Sequence, residues 1–227
     1  MTKNDNLYDG SSSDSNKIQY FSPKIAGFQV GASYAASSTT AGSNVDPSNY
    51  ATETGASYAA AATYETKLAD VGVKLGASMH QLTHGAAYAA GRRNYQGGAI
   101  LDYMGFSVSG GYARTMEKVG TVATESVDGH RYQVGLQYVT GPYTMGVWHM
   151  KYEHQGTMSD AKNNRDHDQT KVYTAYGEYA VSDGVKLQGL IFKVDYDNEE
   201  GSGTGSTAAT ANNDGGWGVV TGFRLDF

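Results

Sequence analysis

Residues Arg131–Val139 read RYQVGLQYV, and alternate positions carry different chemistry. Tyr132, Val134, Leu136 and Tyr138 make one apolar set, while Arg131, Gln133, Gly135 and Gln137 make a polar one. A helix would scatter both sets around its axis. A strand separates them, because successive side chains point to opposite faces. The stretch therefore predicts a β-strand with one apolar and one polar face. Working outward from it, the same period of two predicts strands at Lys17–Ser22, Phe28–Ala36, Ala56–Glu65, Val71–Gln81, Arg92–Asp102 and Phe106–Thr115 before it. Four more follow, at Tyr143–Glu153, Lys171–Val181, Val185–Tyr196 and Gly216–Phe227.

The links between these segments alternate in length. Tight links at Pro23–Gly27, Lys67–Asp70, Tyr103–Gly105, Gly141–Pro142 and Ser182–Gly184 are interleaved with long polar ones. The long links are Ser37–Thr54, Thr83–Gly91, Glu117–Gly129, His154–Gln169 and Asp197–Gly215. An up-and-down antiparallel barrel has this rhythm, with turns at one rim and loops at the other. A soluble sandwich with Greek-key crossovers has no reason to sort its links this way.

Composition narrows the class further. The 227 residues include 30 Gly, 18 Tyr and no Cys, with a net charge of -6. Without Cys there is no disulfide scaffold and no thiolate metal site. The glycines follow no three-residue period, which excludes a collagen-like chain. No apolar run approaches the ~18 residues of a membrane-spanning helix. The acidic balance argues against nucleic acid as a partner. The opening, MTKNDNLYDG, is too polar to read as a secretory leader.

On the apolar sets, aromatic residues recur six positions apart: Phe28/Tyr34, Tyr58/Tyr64, Phe106/Tyr112, Tyr132/Tyr138, Tyr173/Tyr179 and Trp217/Phe223. Six residues at ~3.3 Å each cover ~20 Å, or ~15 Å across a membrane at ~40° tilt, somewhat under the ~25 Å apolar band of a membrane barrel. The opposite sets hold Lys, Arg, Gln, Ser, Thr and Gly, too polar for a dry interior. The expected fold is all-β: an up-and-down transmembrane barrel with aromatic girdles outside and a watery lumen.

The chain ends WGVVTGFRLDF, with Trp217, Val219, Thr221, Phe223, Leu225 and Phe227 on one face. A terminal Phe on an alternating strand resembles the signal read by the barrel assembly machinery of Gram-negative bacteria, here carried by Phe223, Leu225 and Phe227. An exposed amphipathic edge suits capture by strand addition. Near the start, NKIQYFSPKIAGFQVGASY (Asn16–Tyr34) resembles the strand–turn–strand of Gram-negative general diffusion porins, particularly the alphaproteobacterial type. The resemblance implies a 16-stranded homotrimer in the outer membrane, bounded by lipid and lipopolysaccharide, passing small hydrophilic solutes. It also implies a lumen narrowed midway by an inward-folded loop. In that family the first and last strands both lie at the turn-bearing rim. Here the first readable strand runs into a tight turn, which by this resemblance makes it the sixth of sixteen. Residues 1–16 would then be the remnant of the constriction loop, and 17–227 the C-terminal part of one barrel domain.

Alternation also names the lumen-facing groups: Lys17, Gln19, Lys74, Arg92, Arg131, Glu178, Lys186 and Arg224, with Glu65, Asp102 and Asp226 as further acids. Charges facing one another across a narrow pore rank solutes by charge and dipole. Lys17 is the leading selectivity candidate because it adjoins the expected constriction loop, whose carboxylates would be Asp5, Asp9 and Asp14. Catalysis is not expected. His80 and His84 straddle a strand end, so helical zinc geometry fails. Asp166, His167 and Asp168 read as a solvated loop. Asp195–Gly203, DYDNEEGSG, misplaces the EF-hand glycine and has Ser206 where the final Glu belongs, leaving only weak calcium binding. The Gly201/Gly203/Gly205 run lacks the helix that a phosphate cradle needs. Two alternatives stay open: a translocator barrel for a secreted passenger, and an outer-membrane barrel enzyme with a clustered Ser/His/Asp set.

Overall fold

The structure, a computed structural model, describes residues 17–35, 56–83, 92–118, 126–155, 167–197 and 214–225. They form eleven strands: β1 (Lys17–Phe21), β2 (Phe28–Ala35), β3 (Ser57–Leu68), β4 (Val71–Leu82), β5 (Arg92–Tyr103), β6 (Phe106–Lys118), β7 (Ser126–Thr140), β8 (Tyr143–Gln155), β9 (His167–Ser182), β10 (Val185–Asp197) and β11 (Asp214–Leu225). Each strand lies beside its neighbours in sequence, in the order β1 through β11 within one sheet. The pairing is antiparallel along β1–β2–β3 and along β8–β9–β10–β11.

Every strand falls where alternation puts it, but the loop-side ends of β6 to β9 run longer than expected. β6 reaches Lys118 and β7 starts at Ser126, well inside the expected loop Glu117–Gly129. Likewise β8 runs to Gln155 and β9 starts at His167, inside the expected loop His154–Gln169. The reason is physical. Backbone ladders do not need side-chain contrast, and where both faces are polar the period-two signal vanishes while the hydrogen bonds continue.

The tight hairpins show why glycine closes them. At the β1–β2 tip Ala26 and Gly27 have φ of 48° and 88°, and at the β5–β6 tip Met104 and Gly105 have 47° and 83°. Two consecutive positive φ values match the twist of the flanking strands. A Cβ on Gly27 would lie 2.2 Å from the Glu65 carbonyl oxygen, and one on Gly105 2.5 Å from that of Val139. The Gly27 and Gly105 carbonyls in turn accept from the Glu65 and Val139 N–H groups at 3.0 and 2.8 Å. The sequences Ala26-Gly27-Phe28 and Met104-Gly105-Phe106 thus build the same junction twice.

The described strands gather into two compact units. One holds β1, β2, most of β3 and the loop-side parts of β4 to β7; the other holds the turn-side parts of those strands and all of β8 to β11. Neither has a conventional apolar core. Among the described residues the buried hydrophobics are Ala35, Leu82 and Ala113, whereas Ile18, Trp217 and Phe223 are each at least 70% exposed. Leaving such side chains in water forfeits about 1.5–3 kcal/mol each. The apolar surface therefore faces a medium other than water.

Candidate functional site

The registers of β8 to β11 resolve the sheet into rows. On the apolar face, Tyr143, Tyr179, Leu187 and Phe223 share the row nearest the tight turns. Next come Met145, Gly177, Gly189 and Thr221, then Val147, Ala175, Ile191 and Val219. The fourth row holds His149, Tyr173, Lys193 and Trp217. Tyr143 packs on Tyr179 with centroids 5.1 Å apart, and His149 stacks on Tyr173 at 4.4 Å. An apolar band bounded by two aromatic rows is the signature of a lipid-facing barrel surface.

The other strands repeat it. Phe28–Tyr64 and Tyr34–Tyr58 bound the band on β2–β3 at centroid distances of 4.2 and 5.1 Å. Phe106–Tyr138 and Tyr112–Tyr132 do so on β6–β7 at 4.3 and 5.1 Å. Every girdle residue expected from sequence lies on this face, as do Phe223 and Leu225 of the expected assembly signal; Phe227 lies outside the described residues. Tyr143 and His149 belong to the girdle too. Their six-residue spacing is visible in the sequence, but with a histidine in the second aromatic slot. His130 extends the Tyr112–Tyr132 pair, its Nδ1 lying 2.7 Å from the Tyr112 hydroxyl.

Past the loop-side girdle this face turns ionic. Lys151 pairs with Glu153, Lys171 with Asp197 at 3.3 Å and Lys193 with Asp195 at 2.8 Å. Gln169 donates to Glu153 at 2.9 Å. The apolar band ends there. Asp195 and Asp197, the described part of the candidate calcium segment, are thus engaged by lysines.

On the opposite face the charged groups cluster near the turns. Lys186 Nζ lies 2.8 Å from Glu178 Oε1, Gln188 donates to Glu178 Oε2 at 2.6 Å, and Lys186 stands opposite Arg224 in register. In the other unit, Glu65 pairs with Lys24, and Lys74 acts on the same carboxylate. Lys17 stands opposite Ala35, one step past the Tyr34–Tyr58 row, and Gln19 stands opposite Ser33. Asp102 accepts from Ser107 at 2.5 Å. Arg131 interacts electrostatically with Tyr152 of β8. Arg92 takes this face by alternation, its side chain lying outside the described residues, as do residues 1–16 and Asp226.

One expectation needs correction: this face is not polar throughout. In β8 to β10 its middle rows are Gly146–Tyr176–Leu190, Trp148–Thr174–Phe192 and Met150–Val172–Val194, followed by Tyr152–Thr170–Tyr196. The big rings lie across their neighbours. A Cβ on Gly146 would meet the Tyr176 ring at 2.6 Å, and one on Gly218 would meet the Phe192 ring at 2.2 Å. The Tyr176 hydroxyl donates to Gln137 Oε1 at 2.7 Å. The signal was present in sequence, because Tyr176 lies midway between Tyr173 and Tyr179 and must face the other way. Alternation alone does not reveal it, because strands apolar on both faces show no polarity contrast.

Ser57 Oγ and His80 Nε2 are 2.7 Å apart, and Ser57 is 4% exposed. His84 and Asp166, and the side chains of His167 and Asp168, lie outside the described residues. Among the described residues no three His, Cys, Asp or Glu side chains group to hold a metal ion.

A single sheet of membrane-crossing length, apolar and girdled on one face and hydrogen-bonded and charged on the other, defines the class of outer-membrane β-barrels. A family model for Gram-negative porins matches residues 2–199, and the chain belongs to that family. Among solved structures it is similar to an anion-selective porin from Comamonas acidovorans, with TM-score 0.67 and 19% identity over 94% of this chain and 60% of that one. It is similar also to OmpT, an outer-membrane protein of Vibrio cholerae, in an in-vitro folded trimer form (TM-score 0.63). The outer-membrane-expressed form of OmpT gives TM-score 0.65, and both forms are 11% identical over 96% of this chain and 67% of theirs. The likeness at these identities is one of fold. The chain spans about three-fifths of the Comamonas porin. No curated protein matches it.

Proposed function

We propose that this protein forms the wall of a passive, water-filled channel for small hydrophilic solutes and ions across the outer membrane. The observation that carries the reading is the division of β8 to β11 into a girdled lipid face and an opposite face bearing Lys186, Glu178, Gln188 and Arg224. Diffusion needs neither cofactor nor catalytic group, and the buried Ser57 suits a structural tie between β3 and β4. Lys17, Lys74, Arg92, Arg131, Lys186 and Arg224 on the lumen side favour anions over cations.

The same reading supplies the partners. The girdles take the bilayer, and the Lys/Asp/Glu rows above them meet lipopolysaccharide headgroups, where the carboxylates can hold calcium weakly. The β11 edge is presented to the assembly machinery. As in the trimer form of OmpT, three copies assemble. The test is reconstitution of outer-membrane protein into planar bilayers under a salt gradient. Ohmic steps with an anion-selective reversal potential are expected; recovery as a soluble monomer without detergent overturns the reading.

A further inference from the structure

We propose that the aromatic rows on the lumen face of β8 to β10 form a binding track for small ring-bearing carboxylates. The inference rests on the channel reading and deepens it. Its first support is position. Trp148, Thr174 and Phe192 share one row, with Tyr176 in the row towards the turns and Tyr196 towards the loops. The second is posture. A ring laid over a glycine, as Tyr176 is over Gly146 and Phe192 over Gly218, has one face on the wall and the other towards the water. Such faces take a planar ring in offset or edge contact.

Charge then selects among planar solutes. Arg131 interacts electrostatically with Tyr152, which occupies the loop-side end of the rows. Lys186 and Arg224 stand opposite one another at the turn-side end, and with Glu178 paired to Lys186 they leave one net positive charge there. From Phe192 to Lys186 is about 20 Å along the strand at ~3.3 Å per residue. An anion meets a cation on entry and again on leaving, and between the two only a ring finds favourable contacts. Thr174 adds a polar anchor. It is 7% exposed between Trp148 and Phe192, and its Oγ1 has no hydrogen-bond partner. Buried hydroxyls are normally partnered, and a carboxylate or ring hydroxyl wedged between the two rings would supply the partner.

The chain has two tryptophans, Trp148 and Trp217, and only Trp148 faces the lumen. In outer-membrane protein carrying Trp217→Phe, titration with benzoate should quench Trp148 saturably. Acetate should leave its emission unchanged, and benzyl alcohol should act at least tenfold more weakly. In bilayers, benzoate current should saturate with concentration where acetate current rises linearly. Phe192→Ala should raise the half-saturating benzoate concentration at least tenfold, and Ile191→Leu on the lipid face should not. If Phe192→Ala fails to assemble, Phe192→Leu keeps the bulk without the ring and should show the same loss. A linear benzoate titration, equal quenching by acetate, or an unchanged half-saturation in the Phe192 variants would overturn the track. Ohmic channels with such results would leave the porin reading standing. If no channel forms, that reading fails and the Trp148 titration still decides the track.

Discussion

β2–β3 and β8–β10 have matching lipid faces and unlike lumen faces. On the lipid side, Phe28–Tyr64 and Tyr34–Tyr58 bound Val30, Ala32, Ala60 and Ala62, just as Tyr143–Tyr179 and His149–Tyr173 bound Met145, Val147 and Ala175. On the lumen side, β2–β3 sets Gly31 opposite Ala61, Ser33 opposite Ala59 and Gln29 opposite Thr63. β8–β10 places Trp148, Tyr176 and Phe192 between its own two aromatic rows, on the opposite face. Lipid is one solvent and imposes one pattern on every strand that meets it. The lumen imposes none, so the stretches of wall differ: β2–β3 carries small and polar residues with the Phe21 ring of β1 over Gly31, whereas β8–β10 brings three large rings, Trp148, Tyr176 and Phe192, into adjacent rows.

The largest test of this contrast is a charge on the shared face. Val30→Arg and Ile191→Arg, both in the apolar band, should each cost about 2–4 kcal/mol, read as loss of folded barrel in urea titrations with lipid. If only one of them is harmful, the two lipid faces are not equivalent. A finer version of the same test is a neighbouring pair, Tyr138→Asp on the lipid face against Gln137→Asp on the lumen face, where the first should impair assembly far more.

Next in size are the two equivalent hairpins. Gly27→Ala and Gly105→Ala each force a Cβ against a backbone oxygen at positive φ, so about 1–3 kcal/mol of destabilisation is expected for each. Gly110→Ala, whose Cβ meets nothing within 4 Å, is the control. Thermal unfolding of the three variants in detergent checks the ranking.

A smaller effect separates the two lumen faces. Gly146→Ala should lift the Tyr176 ring towards the lumen and lower single-channel conductance. Its stability cost should be about 1 kcal/mol, because the obstructing atoms are a side-chain tip that can move. Gly222→Ala, with open space around the new Cβ, should leave conductance as it was. Equal conductance in both variants would mean that the ring over Gly146 does not border the permeation path.

The smallest structural effect is expected from reversing single charges. Lys17→Glu should shift the reversal potential towards cations while barely changing stability, since Lys17 stands at the end of a ladder beside small residues. Lys186→Glu should shift it less, because Lys186 is already paired with Glu178. Equal shifts would remove Lys17 from the selectivity-setting position.

Period-two alternation made all eleven strands, the short links and the lipid face legible in sequence, because lipid contact writes the same contrast into each strand. It also put Lys17, Lys74, Arg131, Glu178, Lys186 and Arg224 on the face opposite the aromatic rows. What alternation could not supply is neighbourhood. The pairing of Glu178 with both Lys186 and Gln188, the Lys/Asp/Glu rows above the girdle, and the placing of Phe192 over Gly218 depend on cross-strand register. Register is settled by turn geometry and by the hydrogen-bonded ladder acting together, and it relates residues far apart in the chain. The sequence by itself therefore determined which side of the wall each residue occupies. The tertiary structure alone decided which residues meet there, because contacts between strands arise only once the ladder has locked.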